Sequence, residues 1–486
     1  MKLNAGQITR LREVLEGFTA DAVLEVLGLP AWRALARNET TPGFLATAGD
    51  SKLELLTRLF SLQGTVTSAA ARAVFGDVFE SLLEARILGL NNDAVSALVE
   101  IRPYGDETHD WWVLSDLTPG MNGVPSPVRP DFVLGISEAS SSLARLTARQ
   151  PIRRALDLGT GCGVQALHLS THAQQVVATD VNDRALMLAA ITAELNQVEI
   201  DFANGSLYEP VSGEFDLIVT NPPFVVSPVE GDRLVYRETG FAADDIVRHV
   251  VTGAADYLAN DGLCQILAAW VEPEGQPWDE RLAEWIEPTA LDAWVIRRES
   301  VDLPEYTEMW LADSGLARGP EFTRRYEHWL AWFESQQIAS MGFGWINLHK
   351  TDREQPSVRI EEHVAPVAEP VGVEFAAWPE RLNQLEAPDL LEQHWVVAPD
   401  VVEETIARPG ASNPNSISLR RTTGLAPTAH LDTITAGFVS ACDGDLSGKQ
   451  ILDSIASILG LDAAETNRQH EPIILDLVRD GFIVSR

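Results

Sequence analysis

The run Ala155-Leu156-Asp157-Leu158-Gly159-Thr160-Gly161-Cys162-Gly163 constrains the fold of this chain more than any other. A short apolar strand, Ala155 to Leu158, stops at three glycines spaced G-x-G-x-G, and Val164 to Leu169 then reads as helix. A glycine loop between a strand and a helix lets the backbone approach a ligand closely and aims free N–H groups at it. Strand–helix alternation continues downstream. Val176 to Thr179 reads as the second strand, Arg184 to Asn196 as a helix, Phe215 to Thr220 as the fourth strand, Asp245 to Leu258 as a helix and Leu263 to Ala268 as the fifth strand. Apolar strands alternating with amphipathic helices signal a parallel sheet covered on both faces, a doubly wound α/β core.

The loop spacing narrows the ligand. A dinucleotide fingerprint, G-x-G-x-x-G, would need glycine at 164, where Val164 stands. This favours S-adenosyl-L-methionine over NAD. Gly159, Thr160, Gly161 and Gly163 can meet the amino acid part of that cofactor, and Asp157 can accept from its ammonium. Asp180, ending the second strand, can take both ribose hydroxyls, as an acidic residue does in other doubly wound folds. Val181 can pack on the adenine, and Ser206 in Asn204-Gly205-Ser206-Leu207 is placed near the adenine edge.

The fourth strand runs directly into Asn221-Pro222-Pro223-Phe224. In isolation Asn-Pro-Pro is a rigid turn. At the end of this strand it presents a side-chain amide, a carbonyl fixed by two prolines and an aromatic face. A planar NH2 group needs its two N–H bonds gripped so that its lone pair can point at an electrophile. Asn221 and the Pro222 carbonyl can both accept, Asn221 also facing the cofactor, Pro223 restricts Pro222 to extended backbone, and Phe224 can stack on the acceptor. Asn221 to Phe224 are therefore the candidate catalytic residues.

The flanks are different in kind. Residues from about Ile8 to Leu98 read as helical, with Leu11, Val14, Leu15 and Phe18 at helix spacing. Ala94 to Arg102 and Trp111 to Leu114 read as a hairpin turning at Tyr104 to Glu107, which together with the helices is winged-helix-like. A loop rich in Pro, Gly and Ser follows from Thr118 to Arg129, then a helix from about Phe132 to Ala148. Ala293 to Ile296 and Phe343 to Leu348 are expected as the last two strands. The insertion between them holds Trp310, Trp329 and Trp332, read as core. The chain ends in a helix, a turn at Asp480-Gly481 and a strand.

Net charge is -35 over 486 residues, which disfavours sequence-independent nucleic-acid binding through phosphate neutralisation. The segment from Arg129 to Arg154 is locally basic, and acid accumulates from Glu354 to Glu404. The N-terminus has no signal-peptide core and no apolar run is long enough to span a bilayer, so a cytoplasmic location without membrane association is expected. Three scattered cysteines, Cys162, Cys264 and Cys442, suggest no structural metal.

The glycine loop, Asp180 and the Asn-Pro-Pro-Phe tetrad together resemble the class I S-adenosylmethionine-dependent methyltransferases, in the branch that methylates amino nitrogens. The resemblance covers roughly Arg129 to Ala269 and implies a Rossmann-like methyltransferase core. Where such enzymes commonly carry a carboxylate at the adenine edge, this chain has Ser206. Release-factor glutamine methyltransferases carry Asn-Pro-Pro-Tyr. Val225-Val226-Ser227-Pro228 is similar to their eukaryotic-type continuation, and Arg129-Pro130-Asp131 to a segment of the bacterial members. Ribosomal RNA guanine-N2 methyltransferases carry Asn-Pro-Pro-Phe, as here. The acidic balance favours a protein glutamine, with a release-factor-like protein as partner. The alternatives are a nucleobase in RNA or DNA, a small-molecule amine, or a winged-helix regulator with an inactive methyltransferase core. Oligomeric state is left open. The expected division is a helical, winged-helix-like domain over 1–117, the methyltransferase domain over 118–352, an acidic Pro-containing linker over 353–405 and a small α+β, winged-helix-like domain over 406–486.

Overall fold

The computed structural model describes residues 3–124, 128–228, 244–313, 316, 318–386, 389–410 and 414–486. Residues 125–127 of the expected Pro/Gly/Ser-rich loop lie outside the described residues. The chain forms two compact units, one of residues 1–144 and 151–363, the other of 145–150 and 364–486.

The first unit is built on an eight-stranded sheet. Its strands are β1 (Ile152–Leu158), β2 (Ala173–Asp180), β3 (Asp201–Asn204), β4 (Phe215–Thr220), β5 (Leu258–Pro273), β6 (Asp292–Asp302), β7 (Ile338–His349) and β8 (Val358–Glu362). Their spatial order is β8-β6-β7-β5-β4-β1-β2-β3. From β3 to β5 neighbouring pairs are parallel, and β7 runs antiparallel between β5 and β6. β6 therefore points the same way as the parallel strands. The central strands are apolar because both faces are covered. On one face α1 (Val164–Ser170) and α2 (Asp183–Leu195) place Leu167, Leu188, Ile191 and Leu195 in a core shared with Leu11, Leu15, Phe18 and Trp111 of the N-terminal region. On the other, α3 (Asp245–Tyr257) packs Val247, Val250 and Val251 against Leu156, Phe215, Ile218 and Ile266.

The N-terminal region has helices Ala5–Leu15, Ala20–Leu35, Thr41–Ala46 and Lys52–Leu56, then strand Thr65–Thr67, helices Ser68–Phe75 and Phe79–Glu84, and a hairpin Leu88–Asn91/Ala94–Ala97. The one hairpin expected over Ala94–Arg102 and Trp111–Leu114 is thus two. The first closes at Asn92, whose φ of 53° is left-handed backbone that asparagine tolerates. The second pairs Glu100–Gly105 with Asp110–Ser115. It docks on α2 by side chains: the Trp112 N–H donates to Asn196 Oδ1 (3.0 Å), the Leu114 N–H to Thr192 Oγ1 (3.0 Å), and Asn196 Nδ2 to the Trp112 carbonyl (2.8 Å).

The expected linker over 353–405 contains β8, helix Gly372–Leu385 and strands His394–Val397 and Val401–Ile406. Its acidic residues masked an apolar pattern, Val371, Phe375, Trp378 and Leu382, all buried at helical spacing. Glu374 on the same helix is buried between Arg381 (2.7 Å) and Arg421 (2.8 Å), inside the second unit. That unit contains a sheet of His394–Val397, Asp443–Ser447 and Ile483–Ser485, and a second sheet of Val401–Ile406, Ser416–Arg421 and Thr428–Leu431. Helices Thr433–Ser440, Gly448–Leu459 and Ala463–Arg479 complete its core around Trp395, Phe438 and Phe482. Among the described residues no helix is long and apolar enough to cross a membrane.

Candidate active site

Strand order reverses between β1 and β4, which begin crossovers to opposite sides. Ligands in open α/β sheets bind in the crevice at the carboxyl ends of such strands. Here that crevice is a cavity of about 410 Å³ walled by the ends of β1, β2 and β4 and the loops that follow them. Asp157, Gly159, Thr160, Gly161, Asp180, Val181, Ser206, Asn221, Pro222 and Pro223 all line it. Residues up to 66 positions apart in sequence are thus brought to one site, and two of the expected residues, Gly163 and Phe224, lie outside its lining.

The glycine loop divides by function. Gly159 (φ 80°) and Gly161 (φ 56°) have left-handed backbone, and a Cβ on either would point into open space. A Cβ on Gly163 (φ 87°) would lie 3.1 Å from Ala189 Cβ on α2, so this glycine admits a helix and does not face the cavity. The expectation of free N–H groups is corrected. The N–H groups of Gly159 and Thr160 both donate to the Thr179 carbonyl (3.0 and 2.8 Å), that of Gly161 to Asp180 Oδ2 (2.9 Å) and that of Gly163 to the Thr160 carbonyl (2.9 Å). At these four positions the loop offers Cα surface and the Thr160 side chain rather than amide donors.

Two carboxylates stand on either side of this loop. Asp157 is buried, and its Oδ2 accepts from Thr160 Oγ1 (2.5 Å) and from the Ala166 N–H at the start of α1 (3.1 Å). Burial pushes its carboxyl up to about 7, against those hydrogen bonds. Asp180 accepts the Gly161 N–H on Oδ2 and the Asn182 N–H on Oδ1 (2.8 Å), and burial also raises its pKa. Each Asp180 oxygen keeps a further lone pair for a hydroxyl. Val181 beside it is 53% exposed, leaving its side chain open to a flat ring. Burial pushes the Cys162 thiol, also in the lining, up to about 12, so it is a neutral wall residue.

At the end of β4, beside the glycine loop, Thr220 Oγ1 donates to the Leu158 carbonyl (2.7 Å), joining the ends of β4 and β1. Asn221 follows, half-buried, and its Oδ1 is shielded from solvent with no hydrogen-bond donor among the described residues. Such an atom costs free energy until a donor reaches it. The Phe224 ring packs edge-on against Trp310 (6.2 Å) and Phe343 (6.3 Å). Trp329 is buried in the same aromatic core, and Trp310 and Trp332 are half-buried against it.

Further lining residues carry no motif. Residues 132–137, expected as helix, are an irregular segment that contributes Phe132, Val133, Leu134, Gly135 and Ser137 to the cavity; the helix spans Glu138–Leu146. A Cβ on Gly135 would stand 2.7 Å from Ser115 Oγ, and Ser137 and Ser140 exchange hydrogen bonds at the helix start. The segment is fastened from the N-terminal region: Asp116 Oδ2 accepts the Val133 N–H (2.9 Å) and Arg184 Nε (3.0 Å). Gln165, Ala185, Leu207 and Ile246 also line the cavity.

Residues 135–273 match the family described as methyltransferase small domain, so the chain carries a methyltransferase domain whose limits enclose both the glycine loop and the tetrad. Residues 16–98 and 376–485 match two domains of unknown function, DUF7059 and DUF7782. The chain is similar to a release factor glutamine methyltransferase of Haemophilus influenzae, 30% identical over 168 residues, 30% of this chain and 56% of the relative. It is also similar to a ribosomal RNA small subunit methyltransferase C of Erwinia tasmaniensis, 30% identical over 129 residues, 26% of this chain and 34% of the relative. A solved methyltransferase structure from Pyrococcus furiosus aligns at 16% identity and a TM-score of 0.28, over 44% of this chain and 84% of that one. The chain spans about half the length, or less, of the curated relatives it matches.

Proposed function

We propose that the protein is an S-adenosyl-L-methionine-dependent N-methyltransferase acting on a planar amino or amide nitrogen, most readily a protein glutamine side chain. The observation that carries the reading is the buried, donorless Oδ1 of Asn221 in the lining of the same cavity as the glycine loop. A cavity of about 410 Å³ falls within the size range of small-molecule sites. The residues fit the cofactor: open Cα surface at Gly159 and Gly161, Asp157 for an ammonium, Asp180 for a ribose diol and Val181 for a base. When bound, S-adenosyl-L-methionine supplies an electrophilic sulfonium methyl.

Asn221 Oδ1 and the Pro222 carbonyl accept the two N–H bonds of the acceptor and turn its lone pair toward the cavity. Pro223 holds Pro222 extended. Catalysis by positioning of this kind requires no strong base, because the proton leaves once the nitrogen has become cationic. The net charge of -35 and the Val225 to Pro228 run support a protein acceptor, and the relatives named for release factors point the same way. A nucleobase in RNA is the second reading, favoured by Phe224 where glutamine methyltransferases have tyrosine. Tritiated S-adenosyl-L-methionine, purified protein and cell extract, with products split between protease and nuclease digestion, separate the two. Label released by protease is expected; label released by nuclease reassigns the acceptor.

A further inference from the structure

The tetrad is held at its upstream end by Thr220. What holds it downstream is an element outside the sheet. β6 runs parallel to the central strands, so the chain leaving Asp302 emerges at the same edge as the cavity. There it forms two helices, Leu303–Asp313 and Pro320–Ser335, before returning as β7. Tyr306, on the first helix, is fully buried, and its hydroxyl accepts the Val226 N–H at 2.8 Å. Its ring lies 6.1 Å from both Trp310 and Phe343, the two rings on which Phe224 packs, and 5.9 Å from Phe333. Val225 and Val226 are buried in this same core.

We infer that Tyr306 is a positioning residue for methyl transfer: through Val226 and the Trp310/Phe343 pair it sets where Asn221 and the Pro222 carbonyl stand. The inference rests on the amino-nitrogen reading above. A six-residue segment, Asn221 to Val226, is clamped between Thr220 on β1's neighbour and Tyr306 on the insertion, and two prolines leave it little freedom between the clamps. The insertion is thereby part of the acceptor half of the site, although Tyr306 itself is absent from the cavity lining.

The test is Tyr306→Phe, which removes the hydroxyl and keeps the ring. Leaving a buried N–H without its acceptor is expected to speed deuterium exchange at Val226 by about tenfold or more. Calorimetric binding of S-adenosyl-L-methionine is expected to stay within about twofold, while label incorporation from the tritiated cofactor into extract falls by about tenfold. Tyr326→Phe, on the second helix of the insertion with its hydroxyl toward Glu308, is the control and is expected to change none of these. Unchanged exchange at Val226, or label incorporation equal to wild type, overturns the inference. Wild-type protein that binds the cofactor but labels nothing in any extract defeats the methyl-transfer reading instead, and the exchange measurement still decides whether Tyr306 holds the segment.

Discussion

The hydroxyl of Thr220 donates to the carbonyl oxygen of Leu158 across 2.7 Å, at the point where the sheet order reverses. The bond locks the strand that ends in Asn-Pro-Pro to the strand that ends in the glycine loop, so the two halves of the site share one rigid base. Thr220→Val keeps the side-chain shape and removes the donor. It is expected to lower stability by about 1–3 kcal/mol, read from urea denaturation, because both groups are buried.

Gly161 and Gly163 look alike in sequence and are expected to behave differently. Gly161→Ala puts a methyl into the open cavity at φ 56°; it carries the same backbone strain of about 1–2 kcal/mol but meets no neighbour, and should in addition weaken cofactor binding. Gly163→Ala drives a methyl against Ala189 at φ 87°; its cost, about 1–2 kcal/mol of backbone strain plus the contact, should appear in the midpoint. Calorimetry and thermal melts on both variants check the split.

Asp157 predicts a pH dependence. Its folded-state value, about 7, lies above the ordinary carboxylate value of about 4. Its contribution to folding is therefore full below about pH 4 and is lost as pH rises through 7. A cationic ligand group reverses the preference by favouring the ionised form. Cofactor affinity should then rise with pH, by up to about tenfold per unit below 7, and level off above it, with proton uptake or release visible in calorimetry across buffers. Asp157→Asn should flatten the profile between pH 5.5 and 7.5.

Asn221→Ala removes the donorless oxygen. Cofactor binding should stay within a few-fold, while turnover should fall by about 10²-fold or more, as for loss of one pre-organised polar contact. Full activity in this variant would reject the assigned role.

The parts of the site that were legible in sequence are those where an apolar run meets a residue of restricted chemistry: Leu158 before Gly159, Thr179 before Asp180, Thr220 before Asn221. Each ends a strand at the same edge, so period and punctuation sufficed. What escaped depended on partners distant in the chain. Residues 132–137 are unwound because Gly135 sits against Ser115 and Val133 is bonded to Asp116. Gly163 leaves room for Ala189 on α2, a packing role that glycine spacing cannot show. The Phe224 ring is drawn to Trp310 and Phe343, more than 80 residues downstream. Over 353–405 the acidic composition obscured the spacing of Phe375, Trp378 and Leu382.

Asp116 lies outside the segment that matches the methyltransferase family, yet it bonds both Val133 on the cavity wall and Arg184 on α2. Residues 135–273 expressed alone would lack Phe132 and Val133 and the anchor behind them. The segment that matches the methyltransferase family and the segment that walls the cavity are thus of different lengths. A truncation that keeps Phe132, Val133 and their anchor has to begin no later than Asp116, within the N-terminal region.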